Sequence, residues 1–402
     1  MTDTGLGRCT DQPAPPADSG RRRMVLALTA MGLSAGSAQQ HALASSASTP
    51  SSPPSGGTAT STAPPAGGSS SAAPRFGPAV AGGSADFFVT DEPRGRRMGV
   101  RIRWPEIQQA SPLILYSPGL GSGLSNGQAW CESWQRAGFV VVTLSHPHTN
   151  ESLWDTRVSS FSQNMTRALD ASQYPARVAD CRHVLDLCLR DKELSKWIDP
   201  ERIGAAGHSY GALTVQALAG QAGPSQRDDR IRAFVSLSPG AGSKASAARM
   251  KTVKLPFLSL TGKQDGKVSF IYASEQIRLG MPLAQRLWIH ESLPPGKRFL
   301  VVLDQADHMS FAGETINRPT VRFSRDVPQS DEADRQIWHR VSALSTQFFQ
   351  ASLGPADPRG SAQRRSGLFD APALRDALQT QLGPEDRLEC DVPAAPPASK
   401  SG

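Results

Sequence analysis

Between residues 84 and 353 the chain alternates two textures. Short, nearly unbroken apolar runs occur at Leu113–Tyr116, Phe139–Leu144, Ile203–Ala206, Ile231–Leu237, Phe257–Leu260 and Phe299–Leu303. Runs of this kind suit strands buried on both faces of a parallel sheet. Between them, helix-like patterns span Asn126–Ala137, Ala176–Arg190, Ala212–Gly220 and Asp331–Leu353. Ahead of them, Phe87–Thr90 and Met98–Trp104 predict a short antiparallel hairpin. Strand–helix alternation implies an α/β fold with a doubly wound, mostly parallel sheet flanked by helices. Sites in such sheets form at the carboxyl ends of the strands.

The ends of the chain have a different composition. Arg21, Arg22 and Arg23 precede a small, apolar run to Ala38, with small residues again at Ala42–Ala44. Residues 1–44 therefore predict a cleaved export signal of twin-arginine type, and a periplasmic or secreted protein. No Ser or Thr directly precedes the arginine pair. Ser45–Pro74 contains only Ser, Thr, Pro, Gly and Ala, too little apolar surface to offset chain entropy. Residues 45–83 read as a disordered tether to a catalytic domain at 84–353. The tail, 354–402, carries one helical pattern at Ala373–Leu382, with Leu368 and Phe369 placed to dock it; a packed strap is favoured over a disordered end.

Charge and cysteine usage narrow the partners. The net charge is +7 over 402 residues, and the only basic block is Arg21–Arg23, so no nucleic-acid footprint is present. No run reaches the roughly 18 apolar residues of a transmembrane span. Cys181 and Cys188 share the apolar face of one helix. A helical rise puts them about 10 Å apart, beyond the ~7 Å limit for a mutual disulfide. They read as packed thiols, while Cys131 and Cys390 could pair after export. Oligomeric state has no signature in the sequence.

The chemistry concentrates where strands end. Gly207-His208-Ser209-Tyr210-Gly211 follows an apolar strand and precedes an Ala/Leu-rich helix, the context of a nucleophile elbow on Ser209. Ser117-Pro118-Gly119-Leu120-Gly121 follows another strand. It lacks the third glycine and the later acidic residue of a dinucleotide fingerprint. Its glycines instead suit an oxyanion loop, with the Leu120 amide paired with the Tyr210 amide. Asp265 lies just past the Phe257–Leu260 strand and His308 just past the last one. They complete a Ser209–Asp265–His308 triad in the chain order of α/β-hydrolases. Asp304 and Asp307 are runners-up for the acid, while Asp228 and Asp229 lie at the wrong end of the sheet.

His146 and His148 lack the spacing of a metal site and read as polar residues of a loop at the site edge. No metal or organic cofactor is implied. The 151–174 segment is either a cover over the pocket or a surface helix pair, and 266–285 also bears on pocket width. Tyr116, Trp154, Phe161 and Trp288 are candidate apolar lining, with ordinary packing the more common role for such residues.

These motifs, with Thr-Gly-Lys-Gln-Asp at 261–265 and Ala-Asp-His at 306–308, resemble the α/β-hydrolases. More narrowly, they are similar to the predicted dienelactone hydrolase and platelet-activating-factor acetylhydrolase-like branch. The resemblance implies a serine hydrolase acting on a small-molecule or lipid ester, with oxyanion amides at Leu120 and Tyr210. Dienelactone hydrolases carry a cysteine nucleophile, so Ser209 does not inherit their lactone chemistry. An acyltransferase using the same triad and a non-catalytic hydrolase-fold binding module are the alternatives.

Overall fold

The computed structural model describes residues 24–25, 76–272, 275–314, 321–324, 330–354 and 369–392. The export signal expectation falls outside these residues apart from Met24–Val25, and the tether expectation apart from residues 76–83. There Phe76 is buried in the core and its amide donates to Asp191 Oδ2 at 3.2 Å, so the domain begins ahead of Ser84 because this aromatic ring packs into the core. Met24–Val25 (β1) is a two-residue strand, and Ser84–Asp91 (β2) and Arg96–Arg103 (β3) form the opening antiparallel hairpin. Then come Ser111–Ser117 (β4), Gln128–Arg136 (α1), Val140–Ser145 (β5), Phe161–Ala168 (α2) and Gln173–Arg190 (α3). Ile198–His208 (β6), Tyr210–Ala219 (α4), Ile231–Leu237 (β7), Lys244–Ala247 (α5) and Phe257–Gln264 (β8) follow. Next are Lys267–Tyr272 (β9), Glu275–Gly280 (β10), Leu283–Ser292 (α6), Arg298–Asp307 (β11) and Val321–Ser324 (β12). Asp331–Leu353 (α7), Ala371–Gln379 (α8) and Arg387–Cys390 (β13) close the described chain.

Nine strands form the main sheet in the order β13-β11-β8-β7-β6-β4-β5-β3-β2. The six central strands, β11 through β5, are mutually parallel, and antiparallel strands add at both edges. This order, with its one reversed strand near the hairpin edge and the elbow after the central β6, is that of the α/β-hydrolase fold.

The alternation of side chains along a strand explains the layers. Leu113 and Leu115 of β4 join a cluster with Val178, Cys181 and Val184 of α3 and Leu218 of α4. Ile114 and Tyr116, one position along, join the opposite cluster with Trp130 and Trp134 of α1 and Phe348 of α7. Each central strand is apolar on both faces because helices cover both.

Pro175 does not shorten α3, which starts at Gln173 rather than Ala176. A proline in the first turn lacks only an N–H that has no intrahelical partner there. The sequence reading passed over α6 and a second, four-stranded sheet, β1-β10-β9-β12. Its strands β9 and β10 form an antiparallel hairpin directly after Asp265, and β12 follows the His308 loop. Met24 and Val25, inside the expected signal, pair in parallel with Ile277 and Arg278 of β10. The tail packs as a strap: α8 buries Leu374 and Leu378, and β13 pairs antiparallel with β11. Cys131, Cys181, Cys188 and Cys390 are all free thiols. Among the described residues no helix is long and apolar enough to cross a membrane.

Candidate active site

Ser209 occupies the single position between β6 and α4, with φ 55° and ψ −113°. A non-glycine residue in such a conformation costs on the order of 1–3 kcal/mol and persists only where its surroundings impose it. The Ser209 amide donates to the Leu237 carbonyl of the neighbouring strand at 3.0 Å. Gly211 provides the clearance: a Cβ there would lie 1.8 Å from the Ser117 carbonyl oxygen. The strand and helix therefore approach closely enough to hold the serine at the turn.

The loops after β8 and β11 bring the other two predicted residues to it. His308 Nε2 lies 2.9 Å from Ser209 Oγ, and His308 Nδ1 lies 2.9 Å from Asp265 Oδ1. With an Nδ1–H donated to the carboxylate, Nε2 is free to accept the serine proton. The second carboxylate oxygen accepts from Ser238 Oγ at 2.6 Å and Thr261 Oγ1 at 2.8 Å. Ser238, at the end of β7, also has a positive φ of 55°, which directs its hydroxyl to Asp265.

Arg286, on α6, completes the surroundings of Asp265. Its Nη2 lies 2.9 Å from Asp265 Oδ1, and its Nε donates to the Asp265 carbonyl. Its Nη1 donates to the Ser238 and Pro239 carbonyls at 3.1 and 3.0 Å. Burial pushes the Asp265 carboxyl up, but the Arg286 charge, His308 and Ser238 together outweigh it and hold the group below the usual carboxylate range. The other aspartates considered are engaged elsewhere: Asp304 with Lys263 at 2.7 Å, Asp307 with Ser310, and Asp228 with Arg230 at 2.6 Å.

His208, beside Ser209, supports His308 through its main chain. Its Nε2–H donates to the His308 carbonyl at 3.1 Å, and the two rings lie 5.0 Å apart. Burial, followed by the neighbouring His308, drives the His208 pKa well below the usual value, so the ring is neutral.

The glycine-rich loop after β4 lies against the elbow, where a Cβ on Gly119 would be 3.6 Å from Ser209 Cβ. Gly121 has φ 72°. Its amide donates to the Thr149 carbonyl at 2.7 Å, and its carbonyl accepts from Trp154 Nε1 at 2.7 Å. Among the described residues, neither the Leu120 amide nor the Tyr210 amide donates to an acceptor. The 151–174 segment thus reaches the loop through Trp154, whose ring stacks on Phe161 with centroids 5.9 Å apart. Tyr116 instead packs between Trp130 and Trp134, and its hydroxyl donates to Asn126 Oδ1.

His146 is not an edge residue. It is fully buried, with Nδ1 3.0 Å from Asp180 Oδ2 and Nε2 3.0 Å from Ser117 Oγ. Asp180 also binds Arg94 and Arg96. The loop turns inward because α3 supplies a buried carboxylate for the ring, a contact across 34 residues that the local sequence does not signal.

Fold and side-chain arrangement thus define an α/β-hydrolase-fold protein with a serine, a histidine and an aspartate in one hydrogen-bonded line. No family model and no curated protein matches the chain. Among solved structures it is similar to a ferulic acid esterase from Streptomyces cinnamoneus, at 17% identity over 72% of this chain and 96% of that one, with a TM-score of 0.49. It is also similar to a 2,6-dihydroxy-pseudo-oxynicotine hydrolase, at 17% identity over 56% of this chain and 62% of that one, with a TM-score of 0.39.

Proposed function

We propose that the protein is an exported serine hydrolase that cleaves carboxylic esters through an acyl-enzyme on Ser209. The observation that carries this reading is the line Ser209 Oγ–His308 Nε2, His308 Nδ1–Asp265 Oδ1, with both links at 2.9 Å. His308 takes the Ser209 proton as Oγ attacks the ester carbonyl. The Leu120 and Tyr210 amides stabilise the negative oxygen of the tetrahedral intermediate. Its collapse expels the alcohol, which receives the proton from His308. Water then attacks the acyl-enzyme with His308 as base, releasing the carboxylic acid and restoring Ser209. Export rests on the Arg21–Arg23 block and the small, apolar run behind it.

Hydrolysis of p-nitrophenyl esters from acetate to palmitate, with Ser209→Ala beside the wild type, tests the reading. The Ala variant is expected to fold and to lose turnover by a factor of about 10⁶. A folded variant that keeps its turnover rules Ser209 out as nucleophile. Product analysis with an added alcohol separates hydrolysis from acyl transfer.

A further inference from the structure

Arg177 of α3 is fully buried beneath the two sides of the oxyanion site. Its Nη2 donates to the Pro118 carbonyl at 2.5 Å and to Ser117 Oγ at 3.0 Å, at the base of the glycine-rich loop. Its Nη1 donates to Thr149 Oγ1 at 2.6 Å, on the residue whose carbonyl holds the Gly121 amide. Its Nε donates to Thr214 Oγ1 at 3.1 Å, and Thr214 Oγ1 donates to the Tyr210 carbonyl at 3.0 Å. The guanidinium carbon lies 4.5 Å from the centre of the Tyr210 ring. One side chain therefore touches both segments that carry the Leu120 and Tyr210 amides.

Each hydrogen-bond acceptor of Arg177 is neutral. The carboxylate whose charge reaches it, Asp180, makes its own bonds to Arg94, Arg96 and His146. His146 is neutral, because burial lowers its pKa to about 4, and adds no second positive charge beside Arg177. The Arg177 guanidinium stays charged at neutral pH although burial lowers its pKa to about 10. A buried cation without a hydrogen-bonded carboxylate is costly, and its position next to a site where negative charge develops gives it a use.

We propose that Arg177 is the positioning residue of the oxyanion site, clamping Pro118 and Tyr210 in register and placing a positive charge with no hydrogen-bonded carboxylate beneath the tetrahedral intermediate. This inference rests on the serine-hydrolase reading. Arg177→Met and Arg177→Lys are compared with the wild type in three readouts. These are kcat and KM on a p-nitrophenyl ester, affinity for an alkyl boronic acid that forms an anionic tetrahedral adduct on serine, and active-site titration with a fluorophosphonate.

For Arg177→Met, kcat per titrated site is expected to fall about 10- to 100-fold, with KM little changed, and boronate affinity should weaken in parallel. Arg177→Lys should recover part of both losses, since it keeps the charge without the fork; should the Met variant not fold, the Lys variant alone must show the parallel loss. Wild-type kcat per site and wild-type boronate affinity in a folded variant overturn the proposal and leave the hydrolase reading intact. Failure of the wild type itself to label and turn over overturns both.

Discussion

At the scale of single residues, the surroundings of Asp265 make a pH prediction. Its pKa is depressed because Arg286, His308 and Ser238 outweigh burial. A carboxyl depressed on folding contributes stability that is present above its unfolded value and is lost as pH falls through the folded one. Arg286→Met removes the adjacent charge and lets burial dominate, so Asp265 should take a proton at a higher pH. A protonated Asp265 no longer presents a charged acceptor to His308 Nδ1. The acid limb of kcat/KM in Arg286→Met is therefore expected to move to higher pH, and acid unfolding should begin earlier. A pH profile superimposable on the wild type would show that Arg286 does not set the Asp265 pKa. None of this was legible locally. Ser209, Asp265 and His308 stand out because each follows an apolar strand in an informative motif, whereas Arg286 sits on a helix with no such marker, 21 residues from the acid it meets.

At the scale of elements, the elbow depends on how closely β6 and α4 approach β4. A methyl group at Gly211 would collide with the Ser117 carbonyl, which is backbone and has no rotamer to change. Overpacking of this kind costs about 1–3 kcal/mol. Displacement of the elbow by even 1 Å costs on the order of 10²-fold in rate. Gly211→Ala should therefore lower the urea midpoint and depress kcat together; a variant with wild-type values of both would mean that the turn is more compliant than its contacts indicate. The main strands and their helices were readable because continuous apolar runs leave few alternatives to a doubly covered sheet. The second sheet was not: β9 pairs with β12 across some fifty residues, from Lys267–Tyr272 to Val321–Ser324, and pairing at that separation leaves no periodic trace in either segment. His146 was misplaced for a related reason, since its partner Asp180 lies on another element.

At the scale of the molecule, the tail closes one edge of the sheet. β13 covers β11, the strand that leads to His308, while Asp386 bonds the Asp304 amide at 2.8 Å and Arg340 of α7 at 3.0 Å. Burying Leu374 and Leu378 is worth about 3–6 kcal/mol for the two. Deleting residues 355–402 should lower denaturant stability by that order and leave β11 as an open edge prone to association. Equilibrium unfolding and light scattering of the truncated chain check this. An unchanged midpoint would reduce the strap to a passive appendage.

What the sequence determined by itself was the order of apolar runs, the helices between them and the three motif-bearing residues of the site. These follow from short-range physics: both faces of a central strand must be apolar, and an elbow needs small residues beside its serine. Tertiary structure alone decided which groups surround that site. Arg286 reaches Asp265 and Arg177 reaches Pro118 and Tyr210 because folding stacks α6 and α3 against the carboxyl ends of the strands. Buried charges take their partners from whatever elements the fold brings near, and spacing along the chain does not encode that choice.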